Sequence, residues 1–249
     1  MKPWVRCPPR RRSVSARLFC IPYAGGGASV FAGWGGALPA GVDACAIQLP
    51  GREDRIREAP LGDLPTVVEE LATALLPYLE LPFAIYGHSL GALLGFELAR
   101  YLRRHHGPMP RHLFVSAHRA PQLPDPNPPL HQLPDDEVIA ELQRLNGIPA
   151  EVLHDEELIS LVLPHLRADL TVAETYHYTA DDSLDCPISV FGGLGDPLVS
   201  HAELLPWRDQ TRTGCTIRML PGDHFFIHSA RAILLATIAH DMAAQRVAS

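Results

Sequence analysis

Six short apolar runs punctuate the chain: Leu18–Pro22, Ala44–Leu49, Phe83–Tyr86, His112–Ala117, Ile188–Gly192 and Thr216–Leu220. In most of them, apolar residues follow one another instead of alternating with polar ones. A strand with one wet face alternates; a strand covered on both faces does not. The runs therefore read as strands of a parallel sheet. Between them lie segments with apolar residues at three- and four-residue spacing: Leu64–Leu79, Leu90–Arg104 and Phe226–Ala244. These read as helices. Parallel neighbours need crossover connections, and helices on both faces of the sheet supply them. The expected fold class is α/β, with a mostly parallel central sheet.

The alternation stops between Ala120 and Thr179. Six prolines fall between Pro121 and Pro134, a composition that suits a stiff hinge connector. Asp135–Leu145 then places Val138, Ile139, Leu142 and Leu145 on one helical face and stops at Gly147. Asp155–Tyr176 carries Leu158, Ile159, Val162, Leu166, Leu170 and Ala173. Pro164 lies inside that pattern, so two short helices or a kink are expected there. A strand-free insertion of this size, placed after a central strand, reads as a helical lid over about 120–179. It follows a strand whose carboxyl end faces the ligand side of an α/β sheet. The alternative is that these helices are ordinary packing elements of the core.

The remaining organisation is simple. Residues 17–249 form the α/β domain, and residues 1–16 are expected to be a flexible basic leader. That leader carries Lys2, Arg6, Arg10, Arg11 and Arg12 before any acidic residue, and the apolar segment behind it is too short for an export signal. The net charge of −7 argues against a nucleic-acid surface. No apolar run approaches the roughly 18 residues that span a bilayer. Cys7, Cys20, Cys45, Cys186 and Cys215 are scattered and odd in number. Neither a metal site nor a disulfide framework is expected. Cys20 and Cys45 read as small buried hydrophobes, and a reducing cytoplasm fits.

One strand-to-helix junction carries chemistry. Gly87-His88-Ser89-Leu90-Gly91 closes the third apolar run and opens a helix. This G-x-S-x-G element pushes a serine out of the sheet on a sharp turn, with its Oγ exposed. The tight turn excludes side chains at Gly87 and Gly91. Ser89 is the candidate nucleophile; the alternative is a structural Gly-Ser turn.

A serine hydroxyl needs a histidine to take its proton and a carboxylate to orient that histidine. In this kind of fold the chain order is Ser, Asp or Glu, then His, each on a loop after a strand. Asp196 follows the strand that runs into Gly192-Gly193-Leu194-Gly195, so it is the candidate acid. Asp181, Asp182 and Asp185 precede that strand and fall at the wrong end of the sheet. His224, in Pro221-Gly222-Asp223-His224-Phe225-Phe226, sits between the last strand and the last helix and is the candidate base. His228 is expected to point away from the site, His88 away from the Ser89 Oγ, and His177 lies in the insertion. Two N–H donors must hold the developing oxyanion. Leu90, next after the nucleophile, supplies one. The loop Tyr23-Ala24-Gly25-Gly26-Gly27 supplies the other, for which Ala24 is chosen with Tyr23 and Gly25 as open alternatives. The same glycines lack the G-K-[ST] ending or G-x-G-x-x-G spacing of a nucleotide site.

Five motifs together carry a resemblance: Pro22-Tyr23-Ala24-Gly25-Gly26, Leu49-Pro50-Gly51-Arg52-Glu53, Gly87-His88-Ser89-Leu90-Gly91-Ala92, Leu163-Pro164-His165-Leu166-Arg167-Ala168-Asp169 and Pro221-Gly222-Asp223-His224-Phe225-Phe226. In these the chain resembles the free-standing type II thioesterases of polyketide and non-ribosomal peptide assembly lines, from about Leu18 to the last helix. Asp223 departs from the glycine more common in that family and leaves the histidine in register. The resemblance implies an α/β-hydrolase fold without cofactor or metal. It also implies an editing activity: release of stalled or aberrant acyl groups from the phosphopantetheine arm of acyl or peptidyl carrier proteins, through an acyl-serine. Arg52, Arg55 and Arg57 suggest an acidic partner, but ion pairs with Glu53, Asp54 and Glu58 on a solvated loop are the preferred reading. The basic run Arg100–His106 is read as complementing a helix C-terminus. Other functions share the serine motif. They are a small-ester carboxylesterase or lipase, an assembly-line domain that releases or cyclises product, and an inactive hydrolase-fold binding protein.

Overall fold

The computed structural model describes residues 3–9, 14–145 and 155–247. Lys2, Arg10, Arg11 and Arg12 of the basic leader, and Gly147, lie outside the described residues.

Among the described residues seven strands form one sheet: β1 (Val5–Arg6), β2 (Ala16–Ile21), β3 (Val42–Ile47), β4 (Phe83–His88), β5 (Leu113–Ser116), β6 (Ile188–Gly193) and β7 (Cys215–Leu220). Their order is β1-β3-β2-β4-β5-β6-β7. All neighbours are parallel except β1, which runs antiparallel to β3. The continuous apolar runs explain the layers, because alternate residues feed two separate cores. Phe19, Ile21, Ile85, Leu113, Val115 and Val190 face one side. There they meet Val68, Leu71 and Leu75 of α1 (Leu64–Leu75) and Leu94, Leu98 and Leu102 of α2 (Leu90–Arg104). Leu18, Cys20, Tyr86, Phe114 and Phe191 face the other. They meet Phe31, Trp34 and Leu234, Leu235 and Ile238 of the C-terminal helix.

Local chemistry sets the helix ends. Asp63 caps α1 by accepting the Thr66 N–H at 2.9 Å, and Pro77 turns its end into a short 3-10 segment. The C-terminal helical pattern is broken at Ala230 into a single turn, Phe226–Ser229, and a long helix, Arg231–Val247.

The insertion holds α3 (Asp135–Arg144) and α4 (Glu156–Glu174). They pack through Val138, Leu142, Leu163 and Leu166 into a small third core that also touches Ala24. The insertion therefore lies over the glycine-rich loop after β2. Helix α4 is one helix through Pro164, not two short ones. Proline there removes one helical hydrogen bond, and the packing of Leu163 and Leu166 on either side holds the segment helical. The proline-rich connector is fastened to α4. Glu174 accepts the N–H groups of Leu130 and His131, at 3.0 and 2.9 Å, and Arg167 donates to the carbonyls of His131 and Leu133.

The N-terminal segment differs from the sequence expectation in two respects. Residues 1–16 are not a leader throughout, since Val5 and Arg6 pair with Ile47 and Ala46 and Val5 is buried. A two-residue strand among prolines and arginines carries no periodicity from which it could be read. Cys45 is not a free buried thiol but is disulfide-bonded to Cys7, which the antiparallel pairing of β1 brings alongside β3. Cys20, Cys186 and Cys215 are free.

Candidate active site

Parallel pairing in register places Ile21, Gly87, His88, Ser116 and Phe191 along one edge of the sheet. The loops after β2, β4, β6 and β7 all leave from that carboxyl edge. Ser89 occupies the turn after β4 with φ 53°, a left-handed conformation that serine adopts only under constraint. The constraint is crowding. A Cβ at Gly87 would collide with the Gly91 carbonyl, and one at Gly91 with the Ile21 carbonyl. The Ser89 N–H donates to the Ser116 carbonyl at 2.7 Å, so the turn is also tied to β5. Ser89 stays partly exposed between buried neighbours.

The three candidate groups come together. The Ser89 hydroxyl donates to His224 Nε2 at 3.0 Å, and His224 Nδ1–H donates to Asp196 Oδ2 at 2.9 Å. The Asp196 side chain is 0% exposed. Its other oxygen accepts the N–H groups of Leu198 and Val199, at 2.8 and 3.3 Å. An ionised carboxylate with both oxygens occupied takes the Nδ1 proton as a hydrogen bond, which leaves Nε2 free to accept from Ser89. The glycines ahead of Asp196 permit this approach, since a Cβ at Gly193 would meet the Asp223 carbonyl.

The two candidate N–H donors are open. Leu90 begins α2, whose first N–H groups have no helical acceptor. No acceptor among the described residues takes the N–H of Leu90 or of Ala24. Gly25, the alternative donor, is committed elsewhere: its N–H donates to Asp169 Oδ2 at 2.7 Å.

His88 has a part that the sequence did not reveal. It points away from Ser89, as expected, and is fully buried. Its Nε2–H donates to the backbone carbonyl of His224 at 2.8 Å, and Ser116 Oγ–H donates to its Nδ1 at 2.9 Å. Burial, reinforced by the neighbouring His224, holds the His88 pKa well below the ordinary histidine value. It is therefore the neutral tether between β4 and the His224 loop. A histidine in an apolar strand needs a partner for each nitrogen, and that need was the available signal. His228 stays out of the Ser89 chain and hydrogen-bonds the Tyr23 hydroxyl at 2.9 Å, at the border of the glycine loop. His177 turns to the Thr175 carbonyl, away from the site.

In the loop after β3 the expected ion pair of Arg55 with Glu58 forms, but Arg52 and Arg55 are buried and not solvated. Arg55 is buried, donating to Glu58 and to the Gln48 carbonyl beneath the Trp4 ring. Arg52 is buried and paired with Asp169 of α4, which no local pattern indicates. Arg100 and Arg103 clamp the chain leaving the insertion, through Asp181 and the carbonyls of Thr179, Asp182 and Ser183. Among the described residues no group of His, Cys, Asp and Glu is placed to hold a metal ion. No described helix is long and apolar enough to cross a membrane.

A serine–histidine–aspartate chain on this sheet edge suits acyl transfer of many kinds. Comparison with known proteins narrows it. The thioesterase domain family matches residues 16–242. The gramicidin S biosynthesis protein GrsT of Aneurinibacillus migulanus is 48% identical over 215 residues, covering 86% of this chain and 84% of that protein. The solved structure of RedJ, a thioesterase from the prodiginine biosynthetic pathway in Streptomyces coelicolor, superposes with a TM-score of 0.87 at 39% identity, covering 94% of this chain and 92% of that one. The type II thioesterase BorB from the borrelidin biosynthetic cluster gives a TM-score of 0.85 at 37% identity, with 95% and 96% covered. The resemblance in the five sequence motifs thus extends over nearly the whole fold, and the chain belongs to the thioesterase-domain family, on an α/β-hydrolase frame.

Proposed function

We propose that this enzyme is an editing type II thioesterase that clears acyl groups from the phosphopantetheine arm of acyl or peptidyl carrier proteins. The observation that carries the reading is the hydrogen-bonded series Ser89–His224–Asp196 at the carboxyl edge of the sheet, in a chain of the thioesterase-domain family. His224 Nε2 takes the Ser89 proton as Oγ attacks the thioester carbonyl. The N–H groups of Ala24 and Leu90 hold the resulting oxyanion, each worth about 3 kcal/mol of barrier. The carbon–sulfur bond breaks, the thiol leaves with the proton from His224, and an acyl-serine remains. Water, deprotonated by His224, attacks the acyl-serine, and the acid departs as the proton returns to Ser89. A thiol is a good leaving group, so proton donation to it demands less than amide cleavage does. The chemistry requires no cofactor beyond the phosphopantetheine that the substrate carries. The reading places the enzyme in the cytoplasm beside its carrier partners.

The test compares kcat/KM for an acyl-carrier protein, the matching acyl-CoA and the matching p-nitrophenyl ester. The acyl-carrier protein is expected to lead. A strong preference for the oxygen ester would instead favour a carboxylesterase or lipase.

A further inference from the structure

The glycine-rich loop is held by side chains from outside it. Asp169 of α4 accepts the Gly25 N–H at 2.7 Å. Gln48 Oε1 accepts the Ala28 N–H at 2.6 Å, and Glu53 Oε1 accepts the Ser29 N–H at 2.9 Å. Gln48 in turn donates to the Arg52 carbonyl at 2.7 Å. Arg52 closes the network by pairing its guanidinium with the second oxygen of Asp169 and with the Pro50 carbonyl. Both partners of the ion pair are buried, each with a side chain only 5% exposed.

Burial makes this pair an unusual choice. Two charges removed from water gain little net stability, and packed apolar residues of similar size commonly do as well or better. What apolar residues cannot do is accept the Gly25 N–H. That N–H belongs to the central peptide of a tight turn, closed by the Gly26 N–H donating to the Tyr23 carbonyl at 2.9 Å. Gly25 has φ +76°, while Ala24 is not among the residues of positive φ. This combination is a type II turn. Its neighbour in conformational space is the type I turn, in which the Ala24–Gly25 peptide is flipped and its carbonyl takes the place of the N–H. A carboxylate facing that peptide attracts the N–H and repels the carbonyl.

We propose that Asp169, charge-paired to Arg52, is a positioning residue: by holding the Gly25 N–H it keeps the Ala24–Gly25 peptide in one flip and anchors to α4 the turn whose preceding peptide presents the Ala24 N–H to the oxyanion. The inference rests on the assignment of Ala24 as an oxyanion donor. It also makes the α4 end of the insertion a fixed wall of the site, tied to the loop it covers.

Two double variants separate positioning from stability. Arg52→Met with Asp169→Leu removes both charges and the acceptor. Arg52→Met with Asp169→Asn removes both charges and keeps an oxygen for the Gly25 N–H. Each is assayed on p-nitrophenyl butyrate and for affinity to butylboronic acid, whose tetrahedral serine adduct places an oxygen where the oxyanion forms. The leucine variant should melt cooperatively and lose tenfold or more in kcat, with KM within threefold of the parent. Its boronic acid Kd should rise by the same factor. The asparagine variant should stay within threefold of the parent in all three. Equal kcat and boronic acid affinity in parent and leucine variant overturns the proposal, as does equal loss in both variants. A leucine variant that fails to fold would make the pair a structural requirement and also overturns it. Ser89→Ala is run alongside: if it keeps its activity, the assignment of the site fails, whatever the double variants do.

Discussion

Asp196→Asn tests the hydrogen-bond chain at its buried end. One Asp196 oxygen accepts two N–H groups, from Leu198 and Val199, and the other accepts His224 Nδ1–H. Asparagine has one oxygen for these three donors. Turning its NH2 toward Leu198 and Val199 sets donors against two buried N–H groups, at about 1–3 kcal/mol for each one left unsatisfied. Its oxygen therefore stays with the backbone, and its NH2 faces His224 Nδ1. Nδ1 must then accept, so the imidazole proton moves to Nε2 and points at the Ser89 hydroxyl. In that tautomer His224 cannot take the serine proton. Trapping a catalytic histidine this way costs about 10⁴ in kcat, or roughly 5.5 kcal/mol of barrier. The substitution is isosteric, so a cooperative melt should persist. The assay is kcat on an acyl-carrier thioester and on p-nitrophenyl butyrate, with thermal unfolding in parallel. A folded variant within tenfold of the parent on both substrates would refute the role of Asp196.

Other outcomes follow from the same geometry. His88→Leu leaves the His224 carbonyl and the Ser116 hydroxyl without their partner, so urea unfolding should show a loss of about 2–3 kcal/mol. The loosened base should cost 10–100-fold in kcat with little change in KM. Burial lowers the pKa values of His112 and His118 to about 4 and that of His88 in the same direction. The unfolded chain therefore binds more protons below about pH 6.5, and stability present at pH 7 is lost as pH falls toward 4. His112 and His118 each contribute up to ~2 kcal/mol to this loss by pH 5. Asp169, raised by burial, works in the opposite sense. A flat urea midpoint between pH 7 and 5 would contradict the assignment. Cys7→Ser opens the cross-link to Cys45 and should lower stability by about 2–4 kcal/mol in urea, with kcat unchanged because β1 lies at the far edge of the sheet.

The frame of the fold was legible because burial on both faces of a parallel sheet leaves continuous apolar runs. The observed strands begin and end within two residues of those runs, and α2 spans Leu90–Arg104 as read. The three site residues were legible for a related reason. A parallel sheet sends every strand-to-helix loop to one edge, so Ser89, Asp196 and His224 needed only the right loops to meet. What stayed hidden depends on long-range pairing. Arg52 and Asp169 are 117 positions apart, and nothing in either local pattern distinguishes a buried charge from a solvated one. The pairing of Arg55 with Glu58 is local and legible, whereas the burial of Arg55 is not, for the same reason. Strand β1 and the Cys7–Cys45 bond were missed because two residues carry no period and a sequence does not announce cysteine partners. Pro164 misled in the other direction: local propensity favours two short helices there, and the segment packed against α3 is a single helix.

The central claim is that Ser89 carries the acyl group between carrier and water. Intact-protein and peptide mass spectrometry of the enzyme mixed with a panel of acyl-carrier proteins tests it most directly. The account predicts an acyl mass added to the peptide containing Ser89, loss of acyl from the carriers, and neither in Ser89→Ala. Deacylation of the carriers by Ser89→Ala at the parent rate would contradict it.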